Sequence, residues 1–274
     1  MDDGIKSMKL YTAVERIHAD LAALGYDRAA PLEAEMLSRL DQLHYFGTEA
    51  VDEAIEACAL GPGSRVLDIG SGFGGPARHI AARTGARVKA VEIQPDMNAT
   101  AEELTRRCAL SHLVTHVEGD ILATPLGGAA FDVAVSWLAL YHIPGRRALF
   151  PRLSAALRPG GRLHIEDLYR RGALSEAEEE AMRVMLFSNT LATREDYLDE
   201  LAVGGFGEVE FDDMTERWAG FTRDRLASFR AGRDAYVAIH GEATFASLEA
   251  FYDCIAGLLS GGRVGGVRIM AKRA

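Results

Sequence analysis

The segment Val66-Leu67-Asp68-Ile69-Gly70-Ser71-Gly72-Phe73-Gly74-Gly75-Pro76-Ala77-Arg78 constrains this chain more than any other. It reads as a strand, a glycine turn and the start of a helix. Val66, Leu67 and Ile69 supply a buried strand. Gly70 and Gly72 permit a tight turn and let a ligand lie against bare backbone. Pro76 stands where a first helical turn tolerates proline. The helix beyond offers free N–H groups and the positive end of its dipole. By spacing alone, Gly70-x-Gly72-x-x-Gly75 fits a dinucleotide fingerprint. Asp68 argues against that fit, because a carboxylate ahead of the first glycine repels a pyrophosphate. It suits a ligand that carries an amine or a sulfonium.

Around this segment, strand and helix alternate. Strands are predicted at 65–69, 87–92, 114–118, 131–136 and 161–167, with helices at 76–84, 96–108 and 146–157. That rhythm implies a doubly wound, mostly parallel sheet with right-handed crossovers. Upstream, apolar residues at helical spacing predict helices near 8–24 (Leu10, Val14, Ile17, Leu21, Leu24), 32–43 and 48–59. Downstream, helices are predicted at 175–188, 194–203 and within 222–260, with strands at 208–214 and 264–272. Hydrophobic residues make up 48% of the chain, enough for a sizeable core.

Charge and composition narrow the partners. A net charge of −10 without a basic run disfavours nucleic acid. No apolar run approaches the ~18 residues that span a bilayer. Met1-Asp2-Asp3-Gly4 carries no signal-peptide core. Cys58, Cys108 and Cys254 form neither a CxxC pair nor a disulfide framework. The cytoplasm is the expected compartment. No His, Cys, Asp or Glu cluster has metal-ligand spacing, since His112 and His116 fall across a loop-to-strand junction.

The glycine segment resembles motif I of class I S-adenosylmethionine-dependent methyltransferases, and the resemblance continues downstream. Val88-Lys89-Ala90-Val91-Glu92 is similar to the second strand, with Glu92 where the family grips the ribose hydroxyls and Ile93 beside it. Glu118-Gly119-Asp120-Ile121 is similar to the acidic turn that contacts adenine. Phe131-Asp132-Val133-Ala134-Val135-Ser136-Trp137 is similar to the fourth strand, and Leu157-Arg158-Pro159-Gly160-Gly161-Arg162-Leu163 to the turn into the fifth. The extension to Arg78 and the tail Gly265-Gly266-Val267-Arg268 resemble the small-molecule branch. That branch includes glycine, sarcosine and phosphoethanolamine N-methyltransferases and tocopherol, sugar and polyketide methyltransferases.

The resemblance implies a Rossmann-like seven-stranded sheet whose last strand is antiparallel. It implies a helical N-terminal lid over 1–60 and a methyltransferase domain over 61–274, with cap insertions near 170–203 and 218–262. It implies methyl transfer from S-adenosylmethionine to a nitrogen or oxygen of a small metabolite. Asp68, Gly70, Ser71, Gly72, Glu92, Ile93, Asp120, Ile121, Ser136 and Trp137 would hold the cofactor, with Trp137 equally placed to join the core. His142, just past the fourth strand, sits where many small-molecule members carry a histidine. An imidazole of pKa near 6.5 can accept a proton there, or it can bond loop backbone. Asp41-Gln42-Leu43-His44-Tyr45-Phe46-Gly47 is similar to an aromatic segment that folds over the cofactor, with Tyr45 the first lid candidate and His44 the second. Glu166 and Asp167 close the fifth strand, either to hold an amine or hydroxyl or to cap a helix. Two rivals stay open: a nicotinamide-dependent oxidoreductase and a non-catalytic S-adenosylmethionine-binding protein. The acceptor and the oligomeric state also stay open, with a homodimer among the options.

Overall fold

The computed structural model describes residues 13–274. The first part of the helix expected over 8–24, including Leu10, and the acidic N-terminal residues lie outside the described residues. Strands β1 (Arg65–Ile69), β2 (Arg87–Glu92), β3 (Val114–Glu118), β4 (Phe131–Trp137), β5 (Leu157–Arg170), β6 (Phe206–Asp213) and β7 (Val264–Arg273) form one sheet. Its spatial order is β3-β2-β1-β4-β5-β7-β6. Neighbours from β3 to β5 run parallel, and β7 runs antiparallel to both β5 and β6. This is a Rossmann-like, doubly wound sheet. Its winding reverses between β1 and β4, which opens a crevice at the carboxyl ends of these two strands.

Both faces of the sheet are covered, so the inner strands are apolar on both sides. In β1, Val66 faces a cluster built from helices α3 (Thr48–Cys58) and α4 (Gly75–Thr84). Leu67 and Ile69 face the opposite cluster, with Leu153 of α6 (Leu149–Ala156) and Tyr197 and Leu201 of α8 (Arg194–Val203). Helices α1 (Val14–Ala23) and α2 (Ala34–Asp41) bring Ile17, Leu21 and Leu37 against Phe73 of the glycine segment and Met97 and Leu104 of α5 (Pro95–Arg107). The N-terminal helices therefore pack directly on the outer wall of the crevice.

Two predicted boundaries move for identifiable reasons. The strand expected at 161–167 spans Leu157–Arg170, because the Pro159-Gly160-Gly161 turn is absorbed as an irregularity in the β4–β5 register. The helix expected over 175–188 is α7, Glu176–Val184, opened by a Ser175–Glu178 capping box. It stops early because Phe187 adopts a left-handed backbone with φ of 52°.

The segment between β6 and β7 folds as α9 (Thr215–Ala231), α10 (Arg233–His240) and α11 (Glu242–Ser260). These helices share an apolar cluster with Leu168, Met182 and Val264. Gly265-Gly266 serves this packing. A Cβ on Gly266 would lie 2.2 Å from Trp218 Cε3, and one on Gly265 would lie 2.5 Å from Tyr169 Cε1. Trp218 is 0% exposed and has no free side to move toward. Gly266→Ala is therefore expected to destabilise the protein by about 1–3 kcal/mol through overpacking. Urea unfolding measures this, and a midpoint equal to wild type would contradict the packing described here.

Candidate functional site

At the crevice lies a cavity of about 580 Å³. The turn after β1 forms its floor. The N–H groups of Gly70 and Ser71 both donate to the Val91 carbonyl, at 2.9 and 3.1 Å. Gly70 has φ of 68°, and a Cβ there would sit 2.4 Å from the Ala139 Cβ, so only glycine fits. Gly72 has φ of 54°, and its N–H donates to Glu92 Oε2 at 2.8 Å. The third glycine of the motif does different work. A Cβ on Gly75 would lie 2.7 Å from the Asp41 carbonyl, so Gly75 admits the N-terminal segment rather than a ligand.

Most of the sequence-predicted residues converge on this cavity. Asp68, Gly70, Ser71, Gly72, Glu92, Ile93, Asp120, Ile121, Trp137 and His142 all line it. Glu92 also accepts from the Gln94 N–H at 2.9 Å, so it ties two turns together while facing the cavity. Asp120 accepts from the Leu122 N–H at 2.8 Å, which shapes the turn after β3.

Asp68 stands apart. It is 1% exposed, and its Oδ2 has no hydrogen-bond partner among the described residues. Burial first, and then repulsion from Glu92, push its carboxyl up to about 7. Ser71 Oγ and Trp137 Nε1 are also buried without partners on this wall. Buried polar groups are ordinarily satisfied. An unsatisfied carboxylate oxygen, hydroxyl and indole N–H around one cavity describe a surface complementary to a polar ligand.

His142 sits in a short 3-10 turn, Leu140–His142. Its Nδ1 lies 3.1 Å from the Phe187 carbonyl. A carbonyl only accepts, so Nδ1 carries the hydrogen and Nε2 is the basic atom. Burial lowers this imidazole to about 4, which corrects the expected value near 6.5. Asn189 Nδ2 donates to the His142 carbonyl at 2.6 Å, and the Asn189 N–H donates to that of Tyr141. The Leu138 N–H is held by the Glu166 carbonyl, with Leu138 at φ of 54°. Non-glycine left-handed residues thus occur at Leu138 on the wall and at Phe187, which holds His142, and such strain concentrates at functional sites.

Other predicted residues lie elsewhere. Ser136 is fully buried and donates to the Ile69 carbonyl at 2.9 Å, tying β4 to β1 outside the cavity. Tyr45 is not on the wall either. It packs edge-on against Trp218 with centroids 4.8 Å apart, and the Arg225 guanidinium lies over its ring. Its neighbour His44 lines the cavity instead, 5.5 Å from the Trp137 ring, with its imidazole lowered by burial to about 4. Glu166 binds Arg268 at 2.6 Å, and Asp167 accepts from the Tyr197 hydroxyl at 2.6 Å, so both are committed behind the site.

Sequence reasoning missed Asn189, Gln94, Met97, Leu138 and Ala139 on the wall. It also missed the buried Asp41–Arg78 pair, at 2.8 Å, that holds the N-terminal segment against α4. Asn189 gave no signal, since it falls in an unpatterned loop. Leu138 and Ala139 were readable as the residues directly following the fourth strand. Among the described residues, no group of three His, Cys, Asp or Glu is placed to hold a metal ion.

Residues 66–161 match the family model for a methyltransferase domain. The chain is 28% identical over 183 residues to methyltransferase GfsG of Streptomyces halstedii, covering 66% of each chain. It is 28% identical over 158 residues to sarcosine/dimethylglycine N-methyltransferase of Halorhodospira halochloris, covering 58% of this chain and 57% of that one. It thus spans less than two thirds of these relatives. In fold it resembles Haemonchus contortus phosphoethanolamine N-methyltransferase 2 in complex with S-adenosyl-L-methionine, with a TM-score of 0.83 and 21% identity. That match covers 98% of this chain and 59% of the other.

The raised Asp68 carboxyl has a consequence for stability. The unfolded chain ionises this group near pH 3.8 and the folded chain near 7. Between these values the folded state holds more protons, so stability is full below pH 3.8 and declines as pH rises toward 7. Asp68→Asn is expected to remove part of that decline, on the order of 1–4 kcal/mol. Urea unfolding of the ligand-free protein at pH 5, 6, 7 and 8 measures it, and an unchanged slope in the variant would falsify the assignment.

Proposed function

We propose that this chain transfers a methyl group from S-adenosylmethionine to a nitrogen or oxygen of a small metabolite. The observation that carries the reading is the unpartnered, buried Asp68 carboxylate beside the Gly70–Gly72 turn. A group with an ammonium fits it, whereas the pyrophosphate of a nicotinamide cofactor is repelled. The methyltransferase-domain match and the N-methyltransferase among the relatives support the same reading.

Asp68 would take the ammonium of the methionine moiety, with Gly70, Ser71 and Gly72 offering bare backbone. Glu92 has lone pairs left for the ribose hydroxyls after accepting two N–H bonds. Ile93, Asp120 and Ile121 would flank the adenine, and Trp137 would close the wall. Bound S-adenosylmethionine supplies an electrophilic methyl on sulfonium sulfur. The protein's remaining tasks are to align the acceptor, exclude water and receive a proton. His142 Nε2 is the group we assign to receive it. Residues 13–60 work as a lid through the 41–44 segment, and the insertion near 170–203 delivers Phe187 and Asn189 to the His142 turn. Tyr45, turned away from the cavity, supports the lid from behind.

S-adenosylhomocysteine is expected to bind with micromolar affinity, about −8 kcal/mol, and NAD far more weakly. Calorimetry decides, and NAD binding equal to or tighter than that of S-adenosylhomocysteine sinks the proposal.

His142→Ala is expected to lower kcat by about 10²–10⁴-fold with cofactor affinity unchanged. Because its imidazole sits near 4, the wild-type kcat at saturating S-adenosylmethionine should stay flat from pH 6 to 8 and fall only as pH drops toward 4. A loss under about tenfold would leave His142 as a wall residue that only shapes the cavity.

A further inference from the structure

We propose that the acceptor carries no anionic group: it is a neutral or cationic molecule with an apolar body that presents a hydroxyl or amine to His142. The inference rests on the methyl-transfer reading and narrows it. Trp137, Leu138, Ile143 and Pro144 make the wall around His142 apolar, and His44 faces the same cavity. Both imidazoles are neutral at physiological pH, because burial holds each near 4. The Asn189 amide N–H is turned onto the His142 carbonyl. None of these groups offers a positive charge.

The remaining ionisable groups that face the cavity are carboxyl groups, which carry either negative charge or none. Asp68, Glu92 and Asp120 line it, and none forms an ion pair among the described residues. One carboxylate is matched by the ammonium of the methyl donor, which leaves the others without a cation. No Lys or Arg among the described residues lines the cavity. Of the arginines on adjacent elements, Arg78 is paired with Asp41, Arg217 with Glu49 and Glu53, and Arg268 with Glu53 and Glu166, while Arg225 stacks over the Tyr45 and Tyr252 rings, away from the cavity wall. A phosphate or carboxylate entering here would lose its hydration and meet only like charge, two costs that add. Phosphoethanolamine and sarcosine, which give their names to relatives of this chain, each bear such a group.

Three probes with one phenyl body test this: 2-phenylethanol, 2-phenylethylamine and phenylacetate. Each is titrated calorimetrically into the full chain loaded with S-adenosylhomocysteine at neutral pH. Phenylacetate is expected to bind at least about tenfold more weakly than the better of the other two. Phenylacetate within tenfold of that probe overturns the proposal. So does the absence of binding by all three up to ~10 mM, which denies the apolar body. Failure of S-adenosylhomocysteine itself to bind counts instead against the methyl-transfer reading. The same three probes are then titrated into the unloaded chain, where the wall charges predict the same ordering.

Discussion

Two backbone hydrogen bonds, from Gly70 and Ser71 to the Val91 carbonyl, hold the site together. They turn the chain at the end of β1 and fasten it to the end of β2. Everything near the cavity is placed relative to that turn. The Gly72 N–H is brought to Glu92, Gly75 starts α4 where Asp41 can lie across it, and Ala139 rests where any side chain on Gly70 would stand. A parallel sheet permits this because successive strands end on one edge, and the reversal of winding between β1 and β4 leaves that edge open.

The molecule separates paired from unpaired charge. Behind the cavity, Glu166 meets Arg268 and Asp167 meets Tyr197, and at its rim Asp41 meets Arg78. On the cavity wall, Asp68 is left buried with an unsatisfied oxygen, at a cost in desolvation that folding alone does not repay. Such a group is stable in the fold because the surrounding sheet over-determines its position, and it becomes favourable when a cation arrives. The two wall histidines follow the same logic in reverse. Burial keeps them neutral, so the His142 end of the cavity is nearly apolar while the Asp68 end is acidic.

The strands from β1 to β4 were readable to within a residue, because continuous apolar runs ending in glycine or acidic turns have few alternative folds. Helices α3, α5 and α8 were equally legible from their apolar spacing. Side-chain direction was not. Ser136 and Trp137 are neighbours at one strand end, yet only Trp137 reaches the cavity, because Ser136 is spent on the Ile69 carbonyl. His44 and Tyr45 are likewise adjacent, and the predicted order of importance reversed. The bulk of Tyr45 is drawn into the aromatic cluster around Trp218, some 170 residues later in the chain.

By itself, the sequence determined the class of fold, the strand that carries Asp68 and the glycine turn that follows it. These are local properties: strand propensity, turn stereochemistry and helix starts act within a few residues. The tertiary structure alone decided which polar atoms are left unsatisfied, what pKa each histidine takes and where Gly75 and Gly266 make room. It also brought Asn189 and Phe187 to His142 across some 45 residues of chain. Desolvation and packing depend on what lies opposite a side chain, and the order of residues along the chain does not encode that directly.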